Sequence, residues 1–294
     1  MSAKYHIFCF HRVSDEYSPA YPPIPVKVFD RICRFIKRNY NIIDIEDSEN
    51  AKTNKKPSAI ITFDDAYMDF YENALPILFK YKIPAIQHII THSAETGETF
   101  WTQKLNKIVE KYFLLKRDIN IPEIAYYKKT DSHKDIEQTA LEIYLKLLNS
   151  TVRSSIIENL YKNLEEEVEF TKMMQWKEIN ECISHRIRFG SHTHTHINLS
   201  QITENEIREE LQKSKDIIIK NTSNSECISL AFPNGQYNEN VLKVAHEVGF
   251  KYLFSTEAIS CSKIETNSVL PRISIYSTSY WKNYLKLNLY KWTK

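Results

Sequence analysis

Short apolar runs alternate with stretches of helical periodicity along most of this chain. Runs rich in β-branched and aromatic residues predict strands at 5–10, 41–45, 59–63, 85–91, 186–189, 227–232, 251–255 and 270–275. Between them, apolar residues recur at helical spacing. Val28, Phe29, Ile32, Phe35 and Ile36 form one stripe, and Leu75, Leu78 and Phe79 form another within 71–81. Ile207, Leu211 and Ile218 follow Thr203, a ready N-cap, and predict a helix over 204–221. Val241, Val244, Ala245 and Val248 precede Gly249, a natural C-cap. Repeated strand–helix units predict an α/β protein with a parallel sheet or barrel. The alternation breaks between about 101 and 175, where 137–149 and 154–168 read as helices. That stretch is expected to be a helical insertion in a single domain spanning 1–294.

Parallel sheets of this kind carry their chemistry at the C-terminal ends of strands. Two strand ends here are rich in it. Ile60-Ile61-Thr62-Phe63 runs into Asp64-Asp65, and Arg186-Ile187-Arg188-Phe189 runs through Gly190-Ser191 into His192, His194 and His196. One carboxylate with two imidazoles is a recurring ligand set for a divalent transition metal, and a second carboxylate beside it is a ready general base. His192 and His196 share a face whether the segment is extended or turns helically. His194 joins them only if it is extended. A hydrolytic metal site is therefore the leading expectation.

Charge and cysteine content narrow the class. Lys and Arg number 39 against 37 Asp and Glu, with the signs mixed, so nucleic acid is not expected as a partner. Four glycines and no GxGxxG or GxxxxGK exclude a phosphate-binding loop. The five cysteines form no CxxC pair and read as reduced, mostly buried thiols. No secretory leader and no apolar stretch of transmembrane length is visible, so a cytoplasmic location is expected. The aromatic, basic segment from Tyr280 to Trp292 reads first as a helix packed on the sheet, with peripheral membrane contact as the alternative. Phe100-Trp101 reads as an anchor for the insertion or a substrate-stacking rim.

Thr62-Phe63-Asp64-Asp65 followed by His192-Thr193-x-x-His196 resembles the paired motifs of the polysaccharide deacetylase family, the NodB-homology domain of carbohydrate esterase family four. The likeness extends through Asn73–Leu78, Tyr81–Ala85, Ala231-Phe232-Pro233-Asn234-Gly235 and Leu270-Pro271-Arg272-Ile273. It covers roughly 5–100 and 172–276. The resemblance implies a distorted (β/α) barrel of about seven strands. It implies removal of an acyl group, usually N-acetyl, from an amino sugar; with no export signal visible, the expected substrate is a nucleotide-linked or lipid-linked sugar or a short precursor of a surface polysaccharide. It places the metal on Asp65, His192 and His196, with Zn²⁺ foremost and Co²⁺, Ni²⁺ or Fe²⁺ also suited. Asp64 would be the general base, Arg272 its ionic partner, and the backbone N–H near Asn234 an oxyanion donor. Many relatives carry a late histidine as general acid, whereas this chain has none after His246. His11, in Phe10-His11-Arg12-Val13, resembles the N-terminal Tyr-His-x-Val motif of a permuted branch and is the substitute, because first and last barrel strands are neighbours. Four positions depart from the family pattern: Ala66 for the usual Gly, Asn234 for the commoner Tyr, and Gln87-His88 for an apolar or aromatic pair. His88 is read as structural, with the site floor as the alternative. A catalytically inactive sugar-binding protein that retains the fold is the competing function. A glycosidase leaves the histidines unexplained.

Overall fold

Strands joined by helical crossovers pair in parallel, and this chain follows that rule throughout its main sheet. The computed structural model describes residues 5–48, 56–127, 133–149, 151–222 and 226–292. They divide into two compact units, one from 5–15, 23–97 and 173–292, the other from 16–22 and 98–172.

The elements of the chain begin with β1 (Tyr5–Phe10), α1 (Val26–Asn39), β2 (Asn41–Ile42) and β3 (Ser58–Phe63). A single wide helical turn, Phe70–Ala74, then leads into α2 (Leu75–Tyr81), β4 (Ala85–Ile89) and α3 (Thr91–Thr96). The second unit holds α4 (Trp101–Leu114), β5 (Ile119–Ile121), β6 (Ala125–Tyr127), α5 (His133–Leu147) and α6 (Arg153–Leu164). The first unit resumes with α7 (Trp176–Ile183), β7 (Ile187–Ser191), α8 (Glu204–Asn221), β8 (Ser229–Ala231) and α9 (Glu239–Val248). It closes with β9 (Tyr252–Phe254), β10 (Val269–Leu270), β11 (Ile273–Ser274) and α10 (Tyr280–Trp292).

The sheet runs β10-β9-β8-β7-β4-β3-β1-β11, with β2 beside β3. Its two end strands are consecutive in the chain, parted by Pro271 and Arg272, so the sheet curls into the distorted barrel expected. Eight strands lie on that path, against the seven or so implied by the family. The expected strand at 270–275 is two short ones, because Pro271 has no N–H for a ladder bond. The first and last strands do meet: Phe8 pairs with Ile273 and Cys9 with Ser274.

Alternation along the strands builds two layers. Tyr5 and Ile7 point inward with Ile60, Ile86, Tyr252, Phe254 and Leu270. Phe8, Phe10, Ala59, Ile61 and Phe63 point outward to the helices, against Phe29, Ile32 and Leu78. Both faces are buried, which is why the strands read as nearly continuous apolar runs. Two helix ends match their signals. The Thr203 hydroxyl and the Glu206 carboxylate cap α8 reciprocally, and Gly249 ends α9 at φ 89°.

In α10, Tyr284 packs edge-on to Phe35 at 5.2 Å, Arg31 covers the Tyr280 ring at 3.7 Å, and the Tyr40 hydroxyl donates to the Leu287 carbonyl at 2.8 Å. This face packs on α1, while Trp281, Leu285 and Leu289 are exposed. Among the described residues no helix is long and apolar enough to cross a membrane.

The second unit has its own core, in which Leu105, Ile108 and Val109 of α4 meet Ile143 and Leu147 of α5 and Ile157, Leu160 and Leu164 of α6. Trp101 stacks on Tyr144 at 5.2 Å under the Arg153 guanidinium, so its ring serves this unit as an anchor. The antiparallel β5–β6 pair lies outside the predicted strands: three residues a side, with no Gly or Asn-Gly turn, is too short a pattern to read.

Candidate active site

Asp65 follows β3, and His192 and His196 follow β7. The Asp65 Oδ1 atom lies 3.4 Å from His192 Nε2 and 3.6 Å from His196 Nε2. All three residues are buried, and their ligand-type atoms lie within 4.8 Å of one another. The chain bends hard to achieve this. Asp65 (φ 76°), Ala66 (φ 62°), Thr193 (φ 66°) and His196 (φ 58°) all occupy the left-handed region, which costs a non-glycine residue about 1 kcal/mol. Ala66 thus holds a conformation that a glycine would adopt freely.

Hydrogen bonds hold the histidine loop in that shape. Thr193 N–H donates to Ser191 Oγ and His196 N–H to Thr193 Oγ1, each at 3.0 Å. Glu210 of α8 accepts from the backbone N–H groups of His194 and Thr195, both at 2.9 Å, and from the Thr195 hydroxyl. Sequence reasoning misses Glu210, because an acid on an amphipathic helix reads as solvated. His194 turns away from the group: its Nδ1 shares a hydrogen bond with Thr91 Oγ1 at 2.9 Å and its ring meets His92 edge-on.

The electrostatics fit a cation. Asp65 Oδ1 is buried with no hydrogen-bond partner among the described residues, a condition that costs about 1–3 kcal/mol unless a cation or donor meets it. Burial first, and then the charge of Asp64, push the Asp65 carboxyl well above its ordinary range. Burial lowers His192 to about 4. His192 Nδ1–H donates to the Ala231 carbonyl at 2.8 Å, which leaves the Nε2 lone pair facing Asp65.

Asp64 is a separate centre. Arg272, fully buried between β10 and β11, grips it with Nη1 to Oδ1 at 2.8 Å and Nη2 to Oδ2 at 2.7 Å. Arg272 also donates from Nε to the Ser255 carbonyl and from Nη1 to Thr62 Oγ1. Burial alone would raise Asp64, but Arg272, with His192 and His88, holds its carboxyl well below the usual range. Cys9 Sγ donates to Oδ2 at 3.4 Å, and burial pushes this thiol up, which removes it as a nucleophile. His11 Nε2 lies 4.0 Å from Oδ2, and burial leads in lowering the His11 ring.

His88 reaches the site floor, with Nδ1 2.9 Å from Asp64 Oδ1. Gly190 makes room for it: a Cβ there would collide with Ser229 Oγ, approach His88 Cδ2 to 2.6 Å and the Ser229 carbonyl to 2.9 Å. Gly190→Ala is therefore expected to destabilise the protein by about 1–3 kcal/mol in denaturant unfolding. An unchanged midpoint would mean that the interior has slack here.

The Asn234 side-chain nitrogen bonds to neither group. Asn234 sits at φ 59° in the turn after β8, three residues beyond Ala231. Its carbonyl accepts from Thr256 Oγ1 at 3.4 Å, and its buried Nδ2 has no partner among the described residues.

The strand-end carboxylates and histidines, set in this barrel, define a class. Residues 51–253 match the polysaccharide deacetylase family model, and the chain belongs to that family. It is 27% identical over 233 residues to the poly-beta-1,6-N-acetyl-D-glucosamine N-deacetylase of Staphylococcus aureus, covering 76% of this chain and 57% of that protein. Two solved structures share the fold. The Streptococcus pyogenes deacetylase PplD in complex with acetate superposes with a TM-score of 0.66 at 20% identity, covering 97% of this chain and 98% of the other. IcaB from Ammonifex degensii gives 0.61 at 12%, covering 99% and 98%.

Proposed function

We propose that the protein is a metal-dependent deacetylase that hydrolyses the N-acetyl group of an amino sugar in a polysaccharide or its precursor. The observation that carries the reading is the pairing of two buried centres: Asp65, His192 and His196 converging on one point, with the arginine-clamped Asp64 next in sequence. Asp65, His192 and His196 would hold a divalent transition ion, zinc foremost. Such an ion, when bound, polarises the acyl carbonyl and eases deprotonation of water.

The remaining steps belong to the chain. Asp64, kept ionised by Arg272, takes a proton from the attacking water. The new C–O bond forms, and the backbone N–H near Asn234 meets the developing oxyanion. His11, next to Asp64, gives a proton to the sugar nitrogen as the C–N bond breaks. The products are acetate and a free amine. His11→Ala is expected to lower kcat by about 10²–10⁴-fold with metal content unchanged, read from turnover and metal analysis together. Near-wild-type turnover would remove His11 from the reaction.

The sugar class is tested with β-1,6-linked N-acetylglucosamine oligomers, set against β-1,4-linked ones, with acetate and free amine measured. Release from the β-1,6 series supports the substrate that the Staphylococcus aureus relative's name carries. Binding without release from any oligomer would favour an inactive sugar-binding protein.

A further inference from the structure

His88 lies at the end of β4 with no exposed surface, and the reaction outlined above does not use it. An ionised carboxylate can only accept, so the proton of the His88–Asp64 contact sits on His88 Nδ1. Nε2 then carries a lone pair, and it has no partner among the described residues. A carboxylate oxygen offers about two lone-pair sites. Both sites on Asp64 Oδ1 are filled by N–H donors, Arg272 Nη1 at 2.8 Å and His88 Nδ1 at 2.9 Å. Oδ2 holds one strong donor, Arg272 Nη2 at 2.7 Å, and one weak one, the Cys9 thiol at 3.4 Å. Oδ2 is also the oxygen that faces His11, at 4.0 Å.

We propose that His88 is a positioning residue: it occupies Asp64 Oδ1, so that Oδ2, the edge shared with His11, takes the proton. The inference rests on the deacetylase reading. An apolar side chain could fill this interior position as well, since the Phe254 ring lies 5.1 Å away. The structure instead places an imidazole there and leaves position 190 without a side chain to admit it. Without the His88 donor, Oδ1 would regain an open lone pair on the side of β4, away from His11. A proton captured there would be lost to the leaving nitrogen.

Two measurements on the zinc-loaded full chain test this. Long-range ¹⁵N–¹H spectra of histidine-labelled protein should show His88 as the Nδ1–H tautomer, and an Nε2–H tautomer overturns the proposal. In kinetics, His88→Leu should lower kcat by about 10- to 100-fold, the scale of a hydrogen bond to a charged group. KM and zinc content should hold. His88→Asn, whose Nδ2 stands where Nδ1 stood, should recover most of the loss. Wild-type kcat in His88→Leu, or no recovery in His88→Asn, overturns the positioning role. If His88→Leu does not fold, the tautomer and His88→Asn decide. A wild-type protein with the Nδ1–H signature that releases no acetate would strike the deacetylase reading, and the role with it, while the contact itself stood.

Discussion

Asp64→Asn is expected to keep its metal and lose about 10²–10⁴-fold in turnover. Asp64 lies outside the Asp65–His192–His196 group; it does form a second cluster of ligand-type atoms with Cys9 and His11, but the Arg272 guanidinium already holds both its oxygens, so metal content should match the wild type. Its oxygens instead face Arg272, His88, Cys9 and His11. The amide cannot take a proton from water, and its NH₂ would point at an Arg272 donor. Some loss of stability accompanies the change. Turnover and metal content measured on one sample separate a lost base from a lost ion, and a variant within about threefold of wild-type turnover would remove Asp64 as the base.

Arg272→Met removes the other half of the pair and is expected to cost about 3–5 kcal/mol at neutral pH, because it leaves a carboxylate buried without its cation. The direction of each shift sets the pH dependence. In the wild type the folded Asp64 lies below its unfolded value. Its contribution is therefore present above the ordinary carboxylate range, about 4, and is lost as pH falls through the depressed folded value. In the variant only His192 and His88 still oppose burial, the leading influence on Asp64, and the folded value is expected to rise above the unfolded one. Stability from that group then exists below the ordinary range and is lost as pH rises. The gap between the two proteins should be widest near neutrality and close on acidification. Activity should show the same inversion, with kcat/KM of the variant rising with pH as Asp64 gives up its proton. Denaturant unfolding near pH 7 and pH 4 checks the first point, and a pH–rate profile checks the second. A gap that does not change with pH would mean that Asp64 is not held ionised by Arg272.

Much of this was legible in the chain because each functional strand carries two signals, an apolar run and a cluster of polar side chains at its C-terminal end. Asp64-Asp65 and His192–His196 each end such a run, and the topology brings both ends to one rim. The Arg272–Asp64 pair came from family resemblance; nothing in spacing alone joins residues 208 positions apart. Other features were hidden for physical reasons. His194 leaves the ligand group because Thr193 and His196 adopt left-handed backbone, a choice made by Ser191 and Glu210 and not by the histidine spacing. Glu210 carries no local sign of its partners. His88 did carry one: it stands two residues after Ile86 in a strand, and Ile86 points inward. The same period of two would have aimed His88 at the interior, and Gly190 on the neighbouring strand pairs with it directly.

Whether Asp65, His192 and His196 hold a catalytic ion is decided by metal analysis of the purified protein beside Asp65→Ala and His192→Ala. About one divalent transition ion per chain is expected in the wild type, lost in both variants together with acetate release, and restored in the wild type alone when zinc is added after chelation. A wild-type protein that takes up no zinc or cobalt, or variants that keep the ion, would contradict the metal-dependent reading.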